Sequence, residues 1–325
     1  MARAHVRSER CPNVYMLDYF EVLALIPHQG GLPAGRMKIL LTGSRGQLGV
    51  DFRLVGGGKH QIIAYDLDLD IRDRSAVMDR VREVSPQLVL NAAAYTDVDG
   101  AESDEIEAYR VNALGAYNLA LACQDTDIPL LHVSTDFVFN GEASEPYTEF
   151  DRPDPRGVYG MSKYAGECYV SAVLSRYFIC RTSWLFGVGG NNFVKTMLRL
   201  GREQDQLRVV NDQKGCPTYS RDLARKLLEI IEKGAYGFYH VSNSGSCTWC
   251  EFTGDIFDAA GIDTPVAPIT TGELERPAPR PTYSVMRGLA LEMQGMEPLR
   301  HYREALRDFI LTDLPAWEAG EVSLP

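Results

Sequence analysis

Short apolar runs alternate along this chain with longer stretches that carry a single apolar face. Lys38–Thr42 is apolar and partly β-branched, the pattern of a strand covered on both faces. Gln61–Tyr65, Gln87–Leu90, Pro129–Val133 and Tyr177–Arg181 repeat that character, and Leu207–Val210 and Gly237–Val241 follow. Between them the spacing predicts helices over Ser75–Val84, Glu105–Gln124, Val158–Leu174, Asn192–Arg202, Arg221–Ile231 and Trp249–Ala260, and a last one over Leu299–Leu311. In the longest, Val111, Leu114, Leu119 and Leu121 lie on or near the buried stripe, while Asn112 sits mid-helix as a mediocre helix former. Asn140–Arg156 reads as a long loop broken by Pro146, Pro153 and Pro155, and such loops are often functional. Pro265–Pro281 reads as proline-rich and irregular. Strand and helix alternate throughout, so the economical fold class is α/β, a doubly wound, mainly parallel sheet.

Residues 1–36 do not fit that alternation. Arg3, Arg7 and Arg10 precede a mixed segment containing Asp18 and Glu21, which is not a signal-peptide pattern, and Gly30, Gly31, Pro33 and Gly35 break any element. The expectation is an over-called start or a disordered extension, with the fold beginning at Met37. Length then suggests a dinucleotide-binding domain over residues 37–185, to which later segments return, and a smaller C-terminal substrate-binding lobe over residues 186–325.

Composition narrows the function classes. The chain is 45% hydrophobic and 24% charged, enough for a sizeable core. Its net charge of −11 argues against general nucleic-acid binding and against docking on anionic membranes. Seven scattered cysteines fit free thiols in a reducing cytosol, hence a cytoplasmic protein. Cys247 and Cys250 flank Thr248 and Trp249 with no second pair, so no zinc site is expected. No apolar run reaches the roughly 18 residues of a membrane span.

The candidate chemistry starts after Lys38–Thr42, where Gly43, Gly46 and Gly49 form a G-x-x-G-x-x-G turn into a helix. Gly43 permits a tight turn, Gly46 lets a pyrophosphate approach the backbone, and Gly49 lets helix and strand pack closely. The helix N-terminus offers free N–H groups and a positive dipole to phosphate. Asp66 ends the second strand, about 20 positions past the glycines, placed to accept adenosine ribose hydroxyls. Its carboxylate favours NAD(H). Arg45, inside the turn, could instead pair with a 2′-phosphate, so the choice between NADH and NADPH stays open. Ala92, Ala93 and Ala94 end the third strand, where small side chains let a flat cofactor lie against the backbone.

Tyr159 and Lys163 form Y-x-x-x-K, four residues apart on one helix face. A free tyrosine, with a pKa near ~10, is a poor acid at neutral pH, and a nearby ammonium is expected to lower it. The lysine can also bond the nicotinamide ribose. Thr135 ends the fourth strand, where its hydroxyl can bind a substrate carbonyl beside the tyrosine. The set suits hydride transfer from a nicotinamide to a carbonyl carbon, with Tyr159 giving the proton to its oxygen.

These motifs resemble the extended short-chain dehydrogenase/reductases, which have a Rossmann-type fold, and within them the dTDP-4-dehydrorhamnose reductase family. The matching runs include Asn91–Thr96, Ser134–Phe139, Val158–Gly160 with Lys163, Arg181–Trp184, Asn191–Leu198, Asn211-Asp212-Gln213 and Arg280-Pro281. The resemblance covers Met37 to about Thr312. It implies that Gly46, Gln47 and Leu48 hold the cofactor pyrophosphate and that Asp66 takes the ribose, with Asp70 and Ile71 near the adenine. Ala94, Tyr95 and Thr96 would line the nicotinamide half. Thr135, Tyr159 and Lys163 would be catalytic, Thr135 and Asp136 would touch the sugar, Trp184 would lie in the sugar-nucleotide pocket, and Arg280 would pair with the diphosphate.

The implied activity is reduction of the C4 keto group of a dTDP-linked 4-keto-6-deoxy sugar to dTDP-L-rhamnose. A related keto-sugar reductase, and a non-catalytic regulatory subunit resembling that of methionine adenosyltransferase, are the alternatives. Some members bind magnesium at a dimer interface through glutamates. Asp51 could fill one such position, but Arg221 aligns with another, so no magnesium site is expected and a homodimer stays open.

Overall fold

The computed structural model describes Leu32, residues 35–321 and Leu324. Six strands form the central sheet: β1 (Lys38–Thr42), β2 (Gln61–Ala64), β3 (Leu88–Asn91), β4 (Leu130–Thr135), β5 (Tyr177–Thr182) and β6 (Gly237–His240). Their order is β6-β5-β4-β3-β1-β2, and every neighbouring pair is parallel. The expected doubly wound α/β fold is therefore present. The period of two along β1 explains its hydrophobic run. Ile39 and Leu41 face one core with Phe52, Leu223 and Leu227, while Leu40 faces another with Val89, Leu119 and Ile179. Both faces are covered by helices, so the central positions Ile39, Leu40 and Leu41 cannot be polar without cost.

Helix Ser220–Lys233 packs on helix Gln47–Gly56 and, with β6, returns residues 220–240 to the sheet. A third core gathers Phe186, Tyr219, Phe252, Tyr302 and Phe309 into a smaller lobe built around helices Phe193–Glu203 and Trp249–Ala260. Of the extension expected over residues 1–36, only Leu32, Gly35 and Arg36 fall among the described residues. Leu32 is already attached, its N–H donating to the Ile231 carbonyl at 3.1 Å.

Three expectations need correction. The single helix over Glu105–Gln124 is three pieces: Glu105–Tyr109, a π-helical turn at Arg110–Gly115, and Ala116–Asp125. Asn112 lies in that turn, and its side chain leaves the helix to bond Tyr95 and Ser162. The stretch Pro265–Pro281 contains a strand, Val266–Ile269, which pairs in parallel with Leu207–Val210 away from the main sheet. Leu299–Leu311 opens with a short strand, Leu299–His301, before its helix begins at Tyr302. The Asn140–Arg156 loop is anchored by Tyr147. Its ring stacks on Phe139 at 4.2 Å, and its hydroxyl donates to Asn140 Oδ1 at 2.9 Å.

Candidate active site

The strand order reverses between β1 and β3, the place where doubly wound sheets open a crevice at their C-terminal ends. Gly43 stands there with φ 70°, and a Cβ on it would lie 2.6 Å from the Ala92 carbonyl carbon. A Cβ on Gly49 would lie 2.2 Å from the Gly43 carbonyl oxygen. Both glycines are therefore required by the backbone itself. Helix Gln47–Gly56 starts at Gly46 with no side-chain cap, so its first N–H groups face the crevice without an internal acceptor.

A cleft of about 780 Å³ runs from this turn along the strand ends. Gly43, Gly46, Gln47, Leu48 and Gly49 line one end with Asp66, Asp70 and Ile71. Ala92, Ala94, Tyr95 and Thr96 line its middle, and Thr135, Asp136, Tyr159, Lys163 and Trp184 close the far end. The fold thus brings together the residues singled out from the sequence for cofactor and substrate except Arg45 and Arg280, which do not line the cleft. The Arg280 guanidinium instead grips the Asp99 carboxylate through two bonds of 3.0 and 2.9 Å, and Arg276 joins it at 3.0 Å. The two arginines hold the Asp99 carboxyl well below the usual carboxylate range.

At the adenosine end, Asp66 Oδ2 accepts the Arg45 backbone N–H at 2.8 Å, and Oδ1 accepts that of Leu67 at 3.1 Å. Arg72 also lines the cleft and is tied to Asp70 and Glu107.

At the far end, Thr135 closes β4 and its Oγ1 accepts the Phe137 N–H at 3.2 Å. Helix Val158–Val173 carries Tyr159 and Lys163 under it. Thr135 Oγ1 donates to Asp136 Oδ1 at 3.1 Å, and the Tyr159 ring meets Phe137 edge-on at 5.4 Å. Lys163 Nζ donates to the Val133 carbonyl at 2.6 Å. Burial pushes the Tyr159 phenol up to about 12 and the Lys163 ammonium down to about 8, with Glu167 pulling the lysine back up. The expected depression of Tyr159 by Lys163 is thus not what this cleft shows. Desolvation dominates, the Asp136 carboxylate raises the phenol further, and the phenol stays protonated. Burial also raises the Asp136 carboxyl to about 6.

Buried polar atoms without a partner cluster here. Gln47 Oε1, Ser134 Oγ, Asp136 Oδ2 and Thr182 Oγ1 make no hydrogen bond among the described residues, and all four residues line the cleft. Leaving such groups unpaired costs about 1–3 kcal/mol each, so the cleft fits an extended polar ligand such as a dinucleotide.

Sequence reading missed Asn112 as a site residue. Its Oδ1 accepts the Tyr95 N–H at 2.9 Å, and its Nδ2 donates to the Tyr95 carbonyl at 3.1 Å and to Ser162 Oγ at 3.0 Å. It ties the Ala94–Thr96 segment to the helix of Tyr159. An asparagine in the middle of an apolar helical pattern was the available signal. Arg181 is a second omission. Its guanidinium, 3% exposed, pairs bidentately with Glu167, 1% exposed, joining β5 to the same helix.

Asp51 accepts Ser220 Oγ and, at 3.2 Å, Arg221 Nε, and Arg221 also pairs with Asp313. No group of three or more His, Cys, Asp or Glu side chains among the described residues could hold a metal ion. No helix among them is long and apolar enough to cross a membrane.

Residues 37–314 match the family described as the RmlD substrate binding domain. The spore coat polysaccharide biosynthesis protein SpsK of Bacillus subtilis is 42% identical over 275 residues, 84% of this chain and 96% of that protein. The dTDP-4-dehydrorhamnose reductase of Streptomyces griseus is 41% identical over 285 residues, 85% of this chain and 94% of that one. The crystal structure of dTDP-4-dehydrorhamnose reductase from Bacillus anthracis, in complex with NADP, superposes with a TM-score of 0.83 at 42% identity, covering 85% of this chain and 99% of its own.

Proposed function

The chain belongs to the RmlD substrate binding domain family, and from that premise we propose that it reduces the C4 keto group of dTDP-4-dehydro-β-L-rhamnose to give dTDP-L-rhamnose. The observation that carries the reading is the meeting of Thr135, Tyr159 and Lys163 at the end of β4, in one cleft with the glycine turn and Ala92–Thr96. A bound NADPH or NADH would supply the hydride that reaches C4. The chain's residues bind, orient and protonate.

The open N–H groups at the start of helix Gln47–Gly56 receive the pyrophosphate, and Asp66, fixed by two backbone amides, receives ribose hydroxyls. Thr135 Oγ1 and the Tyr159 hydroxyl converge on the C4 oxygen. As negative charge develops there, Tyr159 delivers its proton to that oxygen, and the Lys163 ammonium on the same helix face favours the phenolate left behind. A phenol raised to about 12 is in the correct state to donate at neutral pH. The orphaned Asp136 Oδ2 and Ser134 Oγ give the sugar hydroxyls partners on the same wall.

The test is cofactor oxidation on mixing the protein with freshly generated dTDP-4-dehydrorhamnose, with the product identified by NMR. Consumption of NADPH or NADH with formation of dTDP-L-rhamnose supports the reading. Tight cofactor binding without consumption would sink it and favour a regulatory role.

A further inference from the structure

Trp184 is held by more than its place beside the cleft requires. It lies between β5 and the short strand Leu185–Phe186 with φ 46°, a left-handed backbone that is an outlier for a bulky residue. Its indole stacks on that of Trp249, with centroids 3.4 Å apart and planes 4° from parallel. Gly215 meets it as well: a Cβ there would lie 2.4 Å from Trp184 Cε2, 2.5 Å from Nε1 and 2.7 Å from Cζ2. Cε2, a ring-junction atom, is the nearest of the three, so Gly215 approaches over the ring and not along its edge. The 3.4 Å gap to Trp249 has no room for that approach, so Gly215 covers the opposite face. Both faces of Trp184 are therefore taken.

The clamp is itself braced by Asn211-Asp212-Gln213, a run that the proposed reaction leaves without a role. Trp249 Nε1 donates to Gln213 Oε1 at 3.1 Å, and Gln213 Nε2 donates to Thr271 Oγ1 at 2.9 Å. Thr271 donates to Asp212, and Thr248 Oγ1 donates to Asn211 Oδ1 at 2.6 Å. Antiparallel pairing of Lys214–Gly215 with Cys247–Thr248 sets Gly215 beside the start of the Trp249 helix. Trp184 still lines the cleft, and its Nε1–H finds no acceptor among the described residues.

We propose that Gly215, Gln213 and Trp249 are positioning residues that present the edge of Trp184, not its face, to the substrate. An indole edge is the positive side of the ring quadrupole and carries one N–H donor, so it suits an oxygen acceptor and cannot serve as a stacking platform for a base. The acceptor is an oxygen of the sugar or of the diphosphate. This inference rests on the reading of the cleft as a sugar-nucleotide site.

Calorimetric affinities for dTDP-glucose, dTDP and NADPH test it without any need for turnover. Wild type is compared with Trp184→Phe, Trp249→Leu and Gly215→Ala, and circular dichroism follows the exciton couplet of the stacked indoles. Trp249→Leu should lose the couplet, and all three variants should bind dTDP-glucose about tenfold more weakly, the scale of one lost hydrogen bond. NADPH affinity should stay within about twofold of wild type, a split that general loss of structure would not produce. Weakening confined to dTDP-glucose assigns the sugar oxygen; weakening of dTDP as well assigns the diphosphate. If Trp249→Leu proves insoluble, Gln213→Met, which removes the bonds to the Trp249 indole N–H and to Thr271 while leaving both indoles in place, carries the same comparison. Unchanged affinity for both nucleotides in Trp184→Phe and Trp249→Leu overturns the inference and leaves the reductase reading standing. A wild type that binds neither nucleotide removes both.

Discussion

On the sheet side of the cleft, neighbouring parallel strands put the functional positions next to one another. Thr42 pairs with Asn91, Asn91 with His132 and Thr135 with Thr182, so Gly43, Ala92 and Thr135 follow from backbone register alone. On the lobe side the strands around Trp184, namely Leu185–Phe186, Lys214–Gly215 and Cys247–Thr248, are two residues long, and the wall stands by ring stacking and side-chain hydrogen bonds between segments distant in the chain. The sheet side also buries its ionisable groups and displaces their pKa values. The lobe side meets the cleft with an indole. In the proposed function the first side carries the chemistry and the second selects the substrate.

Four perturbations sharpen that division on the sheet side. Tyr159→Phe removes the proposed proton donor and should cut turnover by about 10²–10⁴-fold, with cofactor affinity nearly unchanged. Retention of most of the rate would take the acid role away from tyrosine. Arg181→Met leaves Glu167 buried without its partner and should destabilise the fold by about 3–5 kcal/mol in urea denaturation. A loss below about 1 kcal/mol would mean that the pair does not brace the helix of Tyr159 and Lys163.

The third perturbation is pH. Lys163 is lowered by burial to about 8, so it is an ammonium below that pH and neutral above it. The kcat/KM for the cofactor, which reports groups of the free protein, should be flat up to about pH 8 and fall above it. A profile still flat at pH 10 would detach Lys163 from the chemistry. The smallest expected effect is on cofactor choice. Asp66→Ala should weaken NADH several-fold more than NADPH, because only the unphosphorylated ribose has two hydroxyls to offer a carboxylate. Equal losses would show that Asp66 does not read the ribose.

The same contrast explains what the sequence disclosed. The glycine turn, Asp66, Thr135 and the Tyr159–Lys163 pair each occupy a few consecutive residues at a strand end, so short spacings and hydrophobic period carried them. Arg280 is a loop arginine whose partner, Asp99, lies far upstream, and nothing local to either residue announces the ion pair. The π-helical turn at Arg110–Gly115 keeps the apolar spacing of a helix, so periodicity alone read straight through it. Pro268 made Val266–Ile269 look irregular, yet on a two-stranded pair a proline can face away from its only neighbour. Trp249 read as the start of a helix, which it is. Its stack on Trp184 depends on the pairing of Lys214–Gly215 with Cys247–Thr248, and no pattern along the chain encodes that.

The central claim is hydride delivery to the C4 carbon of a dTDP-linked keto sugar, with the proton coming from the protein. The most direct measurement uses NADPH deuterated at both C4 positions with dTDP-4-dehydrorhamnose, followed by NMR of the sugar product. The account predicts dTDP-L-rhamnose carrying deuterium at C4 of the sugar, formed by wild type and nearly absent with Tyr159→Phe. A product without deuterium at that carbon, or no consumption of cofactor by wild type, would contradict it.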